Sequence, residues 1–197
     1  MNVVDVSRLP TYGYGHRALT WWATAGMMVI EGMVFVAAIA VYFYLRLRTD
    51  AWPPSGEPPS MLYGTLNIAV LALSAVANQW TKKQAEWEDL RRARRGLALC
   101  VAFGLVLLAI RVFEYPALNT SYQVHAYGST VYALLTLHTV HLFTDFVDTV
   151  VLCVLLYTGP MEGRRFVDVS ENCLYWWFVV LTWVPVYLTI YIAPRLL

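Results

Sequence analysis

Long apolar runs alternate with short polar segments along this chain. A membrane-spanning helix needs about 20 apolar residues, and we identify five such runs at roughly 19–46, 61–80, 96–116, 127–157 and 172–193. Proline cannot continue a helix, so the proline-rich segment 47–60 separates the first two runs, and the charged segment 81–95 is predicted to be a short loop. The pattern predicts an all-α fold: an integral membrane bundle of five transmembrane helices, forming a single domain over residues 1–197.

The fourth run carries a polar stripe on an otherwise apolar helix. Its members are His138, His141, Asp145 and Asp148, and at about 100° per residue they fall within a stripe no wider than about 80°. Ionisable side chains at the depth of a bilayer are costly unless they face protein or water. We therefore expect this face to be covered by other helices.

Glu31 is an isolated acid within the first run. It lies about 16 Å along the helix from Thr20, near the middle of the bilayer, and must there be protonated, hydrogen-bonded or paired. His138 has a similar depth in the fourth run, so a contact of Glu31 with His138 or His141 is geometrically possible. Glu31 is either part of a proton relay or a structural carboxyl that bonds another helix.

Arg111 and Glu114 lie near the end of the third run. Residues three apart are neighbours on a helix, and Arg111 lies about 24 Å along the axis from Arg95. We expect a structural ion pair near the outer membrane interface, and Pro116 should end this helix.

A metal site is one interpretation of the polar stripe, since histidines three residues apart with nearby carboxylates are plausible ligands. The other histidines, His16 and His125, lie near the ends of predicted spans, and a di-iron bundle would need Glu-x-x-His motifs that this sequence lacks. We therefore predict no metal site, and favour a buried network of histidine and carboxyl groups that holds helices together. A small proton transporter using Glu31 and the stripe as a relay, and a membrane metalloenzyme, are the alternatives from other functional classes.

The composition agrees with a membrane protein. Hydrophobic residues make up 59% of the chain and charged residues only 14%, which is more apolar and less charged than a soluble domain. Nothing in the charge pattern suggests a nucleic-acid partner. The three cysteines have no CxxC spacing, so they are poor candidates for a zinc site or a disulfide framework.

The positive charges predict an orientation. Of the 14 Lys and Arg residues, most fall on the N-terminal side and in segments 81–95 and 158–171. By the positive-inside rule, the N-terminus is cytoplasmic and the C-terminus is outside. No convincing cleavage site follows the first run, so we expect the N-terminus to be retained.

Aromatic residues near the predicted ends suggest two interfacial belts. They are Trp21, Trp22, Trp80, Tyr157, Trp176 and Trp177 on one side, and Tyr42, Tyr44, Tyr63, Tyr115, Tyr127 and Tyr191 on the other.

Several short motifs occur in a fixed order over nearly the whole chain. They are Gly26–Met27 with Glu31, Tyr42-Phe43-Tyr44-Leu45-Arg46, Leu66–Asn67, Glu114–Tyr115, and Tyr127-Gly128-Ser129-Thr130 followed by His138 and His141. In this order the chain resembles subunit III of the haem–copper cytochrome oxidases, in the short five-helix bacterial form. It resembles a divergent member, because the family's last helix usually reads Tyr-Trp-His-Phe-Val-Asp. Here that helix has Trp177 in place of the His and Val180 in place of the Asp, and Asp145 and Asp148 are additional acids.

The resemblance implies a non-catalytic subunit of a proton-translocating terminal oxidase that reduces oxygen to water. Such a subunit has no haem or copper of its own, since these belong to partner subunits. It packs against subunit I in a complex that also contains subunit II, and lies in the bacterial plasma membrane. The resemblance also implies bound phospholipid between the helices and a role in sustaining proton uptake and catalytic lifetime, and Glu31 matches the family's buried carbodiimide-reactive carboxyl. A relative that accompanies nitric oxide reductases is the alternative with the same fold.

Overall fold

Five long helices form the bundle in the computed structural model, which describes residues 13–54, 57–159 and 163–196. The N-terminal segment 1–12 with Arg8, and Gly56 of the proline-rich loop, lie outside the described residues. Each of the five helices is long and apolar enough to cross a membrane. Their bounds are α1 Leu19–Arg46, α2 Met61–Glu86, α3 Leu90–Glu114, α4 Ala126–Thr158 and α5 Arg164–Tyr187, which continues through Leu188–Ile192 and Ala193–Leu196.

The helices are longer than the predicted apolar runs at one end of the bundle. Segment 81–95 is not a loop: α2 continues to Glu86 and α3 begins at Leu90, with a turn of three residues between them. Likewise, α5 begins at Arg164 and not near residue 172. Hydropathy marks the thickness of the apolar layer, whereas Lys, Arg, Gln and Glu are good helix formers that extend a helix beyond it. The bounds of α1 agree with the prediction, and those of α4 differ from it by one residue at each end.

The first helix lies at the edge of the bundle. α1 packs against α4 and α5, and Phe35 and Tyr42 are its only buried residues. α5 packs against α1, α2 and α4 and buries residues along its whole length. The core of the described bundle is therefore built on α2 to α5, with α1 attached to one side.

Two close contacts of α2 with its neighbours depend on glycine. A Cβ on Gly96 of α3 would overlap the side chain of Thr81 on α2, and a Cβ on Gly64 of α2 would overlap the ring of Tyr191. Small residues let helix backbones approach closely in membranes, where packing and not hydrophobicity drives helix association. These glycines fix the spacing of α2 against its neighbours.

Part of the predicted aromatic belt is buried. Tyr42, Tyr127 and Tyr191 are less than 2% exposed, and Trp176 is 6% exposed, so the belt prediction is wrong for these four residues. Tyr42 and Tyr127 pack edge-on against Trp52 of the proline-rich loop, with ring centroids 5.2 and 4.8 Å from the indole. An aromatic residue near the end of a span can face the headgroups or seal the bundle, and position along the chain alone does not distinguish the two.

Pro185 interrupts the regularity of α5. The helix passes into a π-helical turn over Leu188–Ile192 before it resumes at Ala193, and the Thr189 hydroxyl donates to the Pro185 carbonyl at 2.8 Å. A π turn accommodates one more residue per turn than an α-helix. It sets the direction of the last buried side chains, among them Tyr191.

Candidate functional site

Arg111 and Glu114 form a buried ion pair where α3 ends. The Arg111 guanidinium donates through Nη1 to Glu114 Oε2 at 2.6 Å, and the two side chains are 2% and 1% exposed. Two further side chains donate hydrogen bonds to the Glu114 carboxylate. Asn67 of α2 donates to Oε2 at 2.6 Å, and the Tyr191 hydroxyl donates to Oε1 at 2.5 Å. Protein groups from α2, α3 and α5 therefore surround this buried ion pair.

His138 joins the same cluster through Arg111. Its Nδ1 lies 2.8 Å from Arg111 Nη2, and its Nε2 lies 2.9 Å from the Val179 carbonyl oxygen of α5. Arginine has only donors and a carbonyl has only an acceptor, so Nδ1 must accept and Nε2 must donate. These contacts fix His138 as a neutral imidazole with its proton on Nε2.

The indole of Trp183 covers this cluster. The Arg111 guanidinium lies 3.9 Å from the centre of its ring, and the His138 ring lies 4.8 Å from it. A cation over an indole gains electrostatic attraction that is larger when water is excluded. We call the set Arg111, Glu114, Asn67, His138, Tyr191 and Trp183 the outer network.

Glu31 of α1 contacts α4 and α5 through a different group of residues. Its carboxylate accepts a hydrogen bond from the Tyr175 hydroxyl at 2.6 Å, and His141 Nε2 lies 3.7 Å from the same oxygen. The other nitrogen of His141 lies 2.7 Å from the Leu137 carbonyl, to which it must donate. Of the two contacts considered for Glu31, the structure therefore has the one to His141, whose Nε2 faces the carboxylate.

Asn172 of α5 links the two aspartates of the stripe. Its amide donates to Asp148 Oδ2 at 3.1 Å and to Asp145 Oδ1 at 3.4 Å, and its carbonyl accepts from the Thr149 hydroxyl at 3.1 Å. Asp145 is 3% exposed, whereas Asp148 is exposed in the isolated chain. The stripe is therefore buried at three of its four positions.

These acids line a cleft of about 710 Å³ between α1, α4 and α5. Thr20, Thr24, Met27 and Glu31 face it from α1, at the spacing of one helix face, and none of its described lining residues is basic. Asp145 Oδ2 and both carboxylate oxygens of the largely buried Glu171 have no hydrogen-bond partner among the described residues. We call this space the acidic cleft; its five carboxylates are Glu31, Asp145, Asp148, Asp168 and Glu171.

The described residues offer no metal site. Across residues 13–54, 57–159 and 163–196, no three His, Cys, Asp or Glu side chains come together in a way that could hold a metal ion. The histidines of the stripe instead diverge, since His138 faces Arg111 and His141 faces Glu31. The polar stripe of α4 is therefore divided between two clusters. His138 belongs to the outer network, and His141 belongs to the group around Glu31.

Sequence analysis missed the partners that the other helices supply. On α2, Asn67, Ser74, Asn78 and Thr81 are buried and repeat at intervals of three, four and seven residues, which is the period of one helix face. The spacing of these polar residues on α2 was a sequence pattern that indicates a buried contact surface. Asn172, Tyr175 and Glu171 carry no comparable signal, because they lie in the long, mostly buried α5 whose pattern gives no partner.

Comparison with known proteins identifies the family. The family model described as "Cytochrome c oxidase subunit III" matches residues 10–194. The chain belongs to the cytochrome c oxidase subunit III family. It is a subunit III of a haem–copper oxidase, and so one component of a complex with other oxidase subunits.

The curated relatives carry the same description at low identity. Cytochrome c oxidase subunit 3 of Thermostichus vulcanus is 24% identical over 171 residues, which is 85% of this chain and 84% of the relative. The Synechocystis protein is 24% identical and the match covers 91% of this chain and 78% of the relative. The Tachyglossus aculeatus protein is 27% identical, with 95% and 76% covered. The predicted fold class and the predicted family are confirmed.

Proposed function

We propose that this subunit III performs no redox step and supports the catalytic subunits of its oxidase in two ways. The outer network holds α2 to α5 in one arrangement and so presents a fixed surface to subunit I, with subunit II in the same complex. The acidic cleft, which Glu31 lines and next to which His141 approaches that carboxylate, takes part in proton uptake. Haem and copper belong to the partner subunits.

The group formed by Glu31, His141 and Tyr175 carries this proposal. His141 Nε2 and the Tyr175 hydroxyl both face one oxygen of Glu31, so a proton can reside on the carboxyl or on the imidazole with little movement. The acidic cleft leads from this group to Asp148, which is exposed. A chain of carboxylates that ends in a histidine–carboxyl pair is suited to collecting protons from water.

We infer the orientation from the positive charges. The end of the bundle where α1 begins and α4 ends holds most of the Lys and Arg residues, so we place it, with the open part of the acidic cleft, in the bacterial cytoplasm.

A phospholipid is the expected occupant of the acidic cleft, because apolar Met27, Val151 and Leu155 line the cleft beside the acids. The alternative partner is a nitric oxide reductase, and co-purification with an oxygen-reducing subunit I distinguishes the two.

Removal of the chain from the assembled oxidase tests the supporting role. Haem and copper spectra should stay unchanged, while turnover should decay faster than in the intact complex. A lost haem or copper signal would contradict the proposal.

Glu31→Gln in the assembled complex tests the proton step. The amide cannot exchange a proton with His141, so we expect slower proton uptake and a shorter catalytic lifetime with normal spectra. Asp50→Asn is the matched control, because Asp50 is exposed beyond the other end of α1. Equal behaviour of the two variants would exclude Glu31 from proton uptake. Purified alone in liposomes, the chain should leave a proton gradient intact, since a stand-alone transporter would dissipate it.

A further inference from the structure

A second, oppositely charged site lies on another face of the same end of the bundle. Arg91, Arg94 and Arg95 occupy the first turns of α3 at the spacing of neighbours on one helix face. With Leu90 and with Tyr157 of α4 they line a cavity of about 480 Å³, and no acidic residue contributes to its described lining. We call this the arginine pocket.

One arginine of the pocket is held in place by α4. Arg94 Nε donates to the Leu156 carbonyl at 2.7 Å, and its guanidinium lies 5.2 Å from the centre of the Tyr157 ring. The Leu156 carbonyl belongs to the last turn of α4, where carbonyls lack partners within the helix. Arg94 thus supplies a hydrogen bond to a carbonyl at the end of α4, and its remaining N–H groups are fixed near the pocket.

The other two arginines have no carboxylate partner among the residues that the structure describes. Neither Arg91 nor Arg95 forms an ion pair within the described part of the chain, whereas Arg92 in the same turn pairs with Asp89 at 3.3 Å. Three cations therefore converge without a counter-charge from the described residues, at a helix start that also favours anions. Planar guanidinium groups bind phosphate oxygens in pairs, which makes a phosphate the matching ligand.

Apolar positions continue the pocket toward the middle of the bundle. Leu99 follows Arg95 by one helical turn and Val154 precedes Tyr157 by nearly one turn, and both are exposed. A free anion would gain nothing from such positions, but the acyl chains of a lipid would. Basic pockets between transmembrane helices at a membrane surface are suited to anionic headgroups.

We propose that the arginine pocket binds the phosphate of an anionic phospholipid, with the acyl chains along Leu99 and Val154. This site is separate from the acidic cleft and does not rest on the proposed function. The two faces would then sort lipids by charge, because the acidic cleft repels the headgroup that the arginine pocket attracts.

The test is phosphatidylglycerol binding to the full chain in nanodiscs of phosphatidylcholine, measured by native mass spectrometry of the released protein–lipid complexes. A basic residue near a membrane surface contributes roughly 5-fold, so Arg91→Gln/Arg95→Gln should weaken phosphatidylglycerol binding roughly 30-fold. Tyr157→Leu leaves the charge unchanged and loosens Arg94, and should weaken binding about 3-fold. Helical content measured by circular dichroism should be unchanged in both.

Arg92→Gln/Lys83→Gln is the matched control. It removes two charges from the same end of the molecule but leaves the pocket intact, so binding should fall by less than about 3-fold. Equal losses in the two double variants would overturn the proposal, because they would indicate a diffuse surface charge. Displacement of the lipid by millimolar inorganic phosphate would also overturn it, since the pocket would then be a site for free anions.

Discussion

The outer network and the acidic cleft both place ionisable groups inside an apolar bundle, but they balance charge differently. In the outer network one carboxylate, Glu114, receives hydrogen bonds from three side chains, of which one is the cation Arg111. In the cleft five carboxylates share a space that no described basic residue lines. Burying a charge is tolerable when it is paired and hydrogen-bonded. The comparison teaches that the first cluster can serve stability, whereas the carboxyl groups of the second need to be protonated or to contact water.

The largest expected effect comes from breaking the outer ion pair. Arg111→Met leaves Glu114 as a buried, unpaired carboxylate and should destabilise the chain by about 3–5 kcal/mol. The thermal midpoint in detergent should fall by roughly 10 °C. The double variant Arg111→Met/Glu114→Gln should recover part of the loss, because it removes the stranded charge as well.

A second pair on the same helix is the control for this change. Asp89 and Arg92 have the same three-residue spacing, at 3.3 Å, but are 37% and 60% exposed. Arg92→Met should therefore cost less than about 1 kcal/mol. Similar losses of stability for Arg92→Met and Arg111→Met would show that burial does not account for the contribution of the Arg111–Glu114 pair.

The next effect separates the two histidines. His138→Leu removes partners from Arg111 and from the Val179 carbonyl, and should cost about 2 kcal/mol. His141→Leu should cost about 1 kcal/mol, since His141 bonds only a carbonyl of its own helix and approaches Glu31 at 3.7 Å. Thermal midpoints in one detergent give the comparison.

Nitrogen NMR of the labelled chain tests the same difference without mutation. His138 should show the neutral form with its proton on Nε2, and His141 should carry a proton on Nδ1. A doubly protonated His138 would contradict the contacts of the outer network, because Arg111 offers it only donors.

The smallest effects are expected in the acidic cleft, and one of them has the opposite sign. Asp145→Asn replaces a buried carboxyl group whose Oδ2 has no partner among the described residues by a neutral amide, so it should stabilise the chain by about 1 kcal/mol. Asp148→Asn changes an exposed side chain and should stay within about 0.5 kcal/mol of the parent. A large destabilisation by Asp145→Asn would mean that the cleft is structural, like the outer network.

The apolar pattern was sufficient to predict five helices and the polar stripe of α4, which is buried at three of its four positions. It was insufficient for the partners of that stripe, because a period of 3.6 residues defines a face but not the helix that covers it. His138 and His141 illustrate the limit. They are neighbours on one helix face, yet one contacts α3 and the other contacts α1.

The aromatic residues illustrate a second limit of the sequence. Tyr157 is exposed near the end of its helix, as the belt predicts, whereas Tyr191 is buried against Glu114. Both lie near an end of an apolar run, so the pattern treats them alike. What separates them is a specific acceptor on another helix, which becomes visible only when the helices are packed.

The π turn at Leu188–Ile192 has an evolutionary consequence. Such a turn is equivalent to one residue inserted into an ordinary helix, so deletion of one residue there would restore an α-helical turn and change which of its side chains face the bundle. Tyr191 would then lose its position beside Glu114. In alignments of this family, a one-residue gap after Pro185 should therefore coincide with the loss of a tyrosine at this place, and ungapped alignments would pair the wrong side chains.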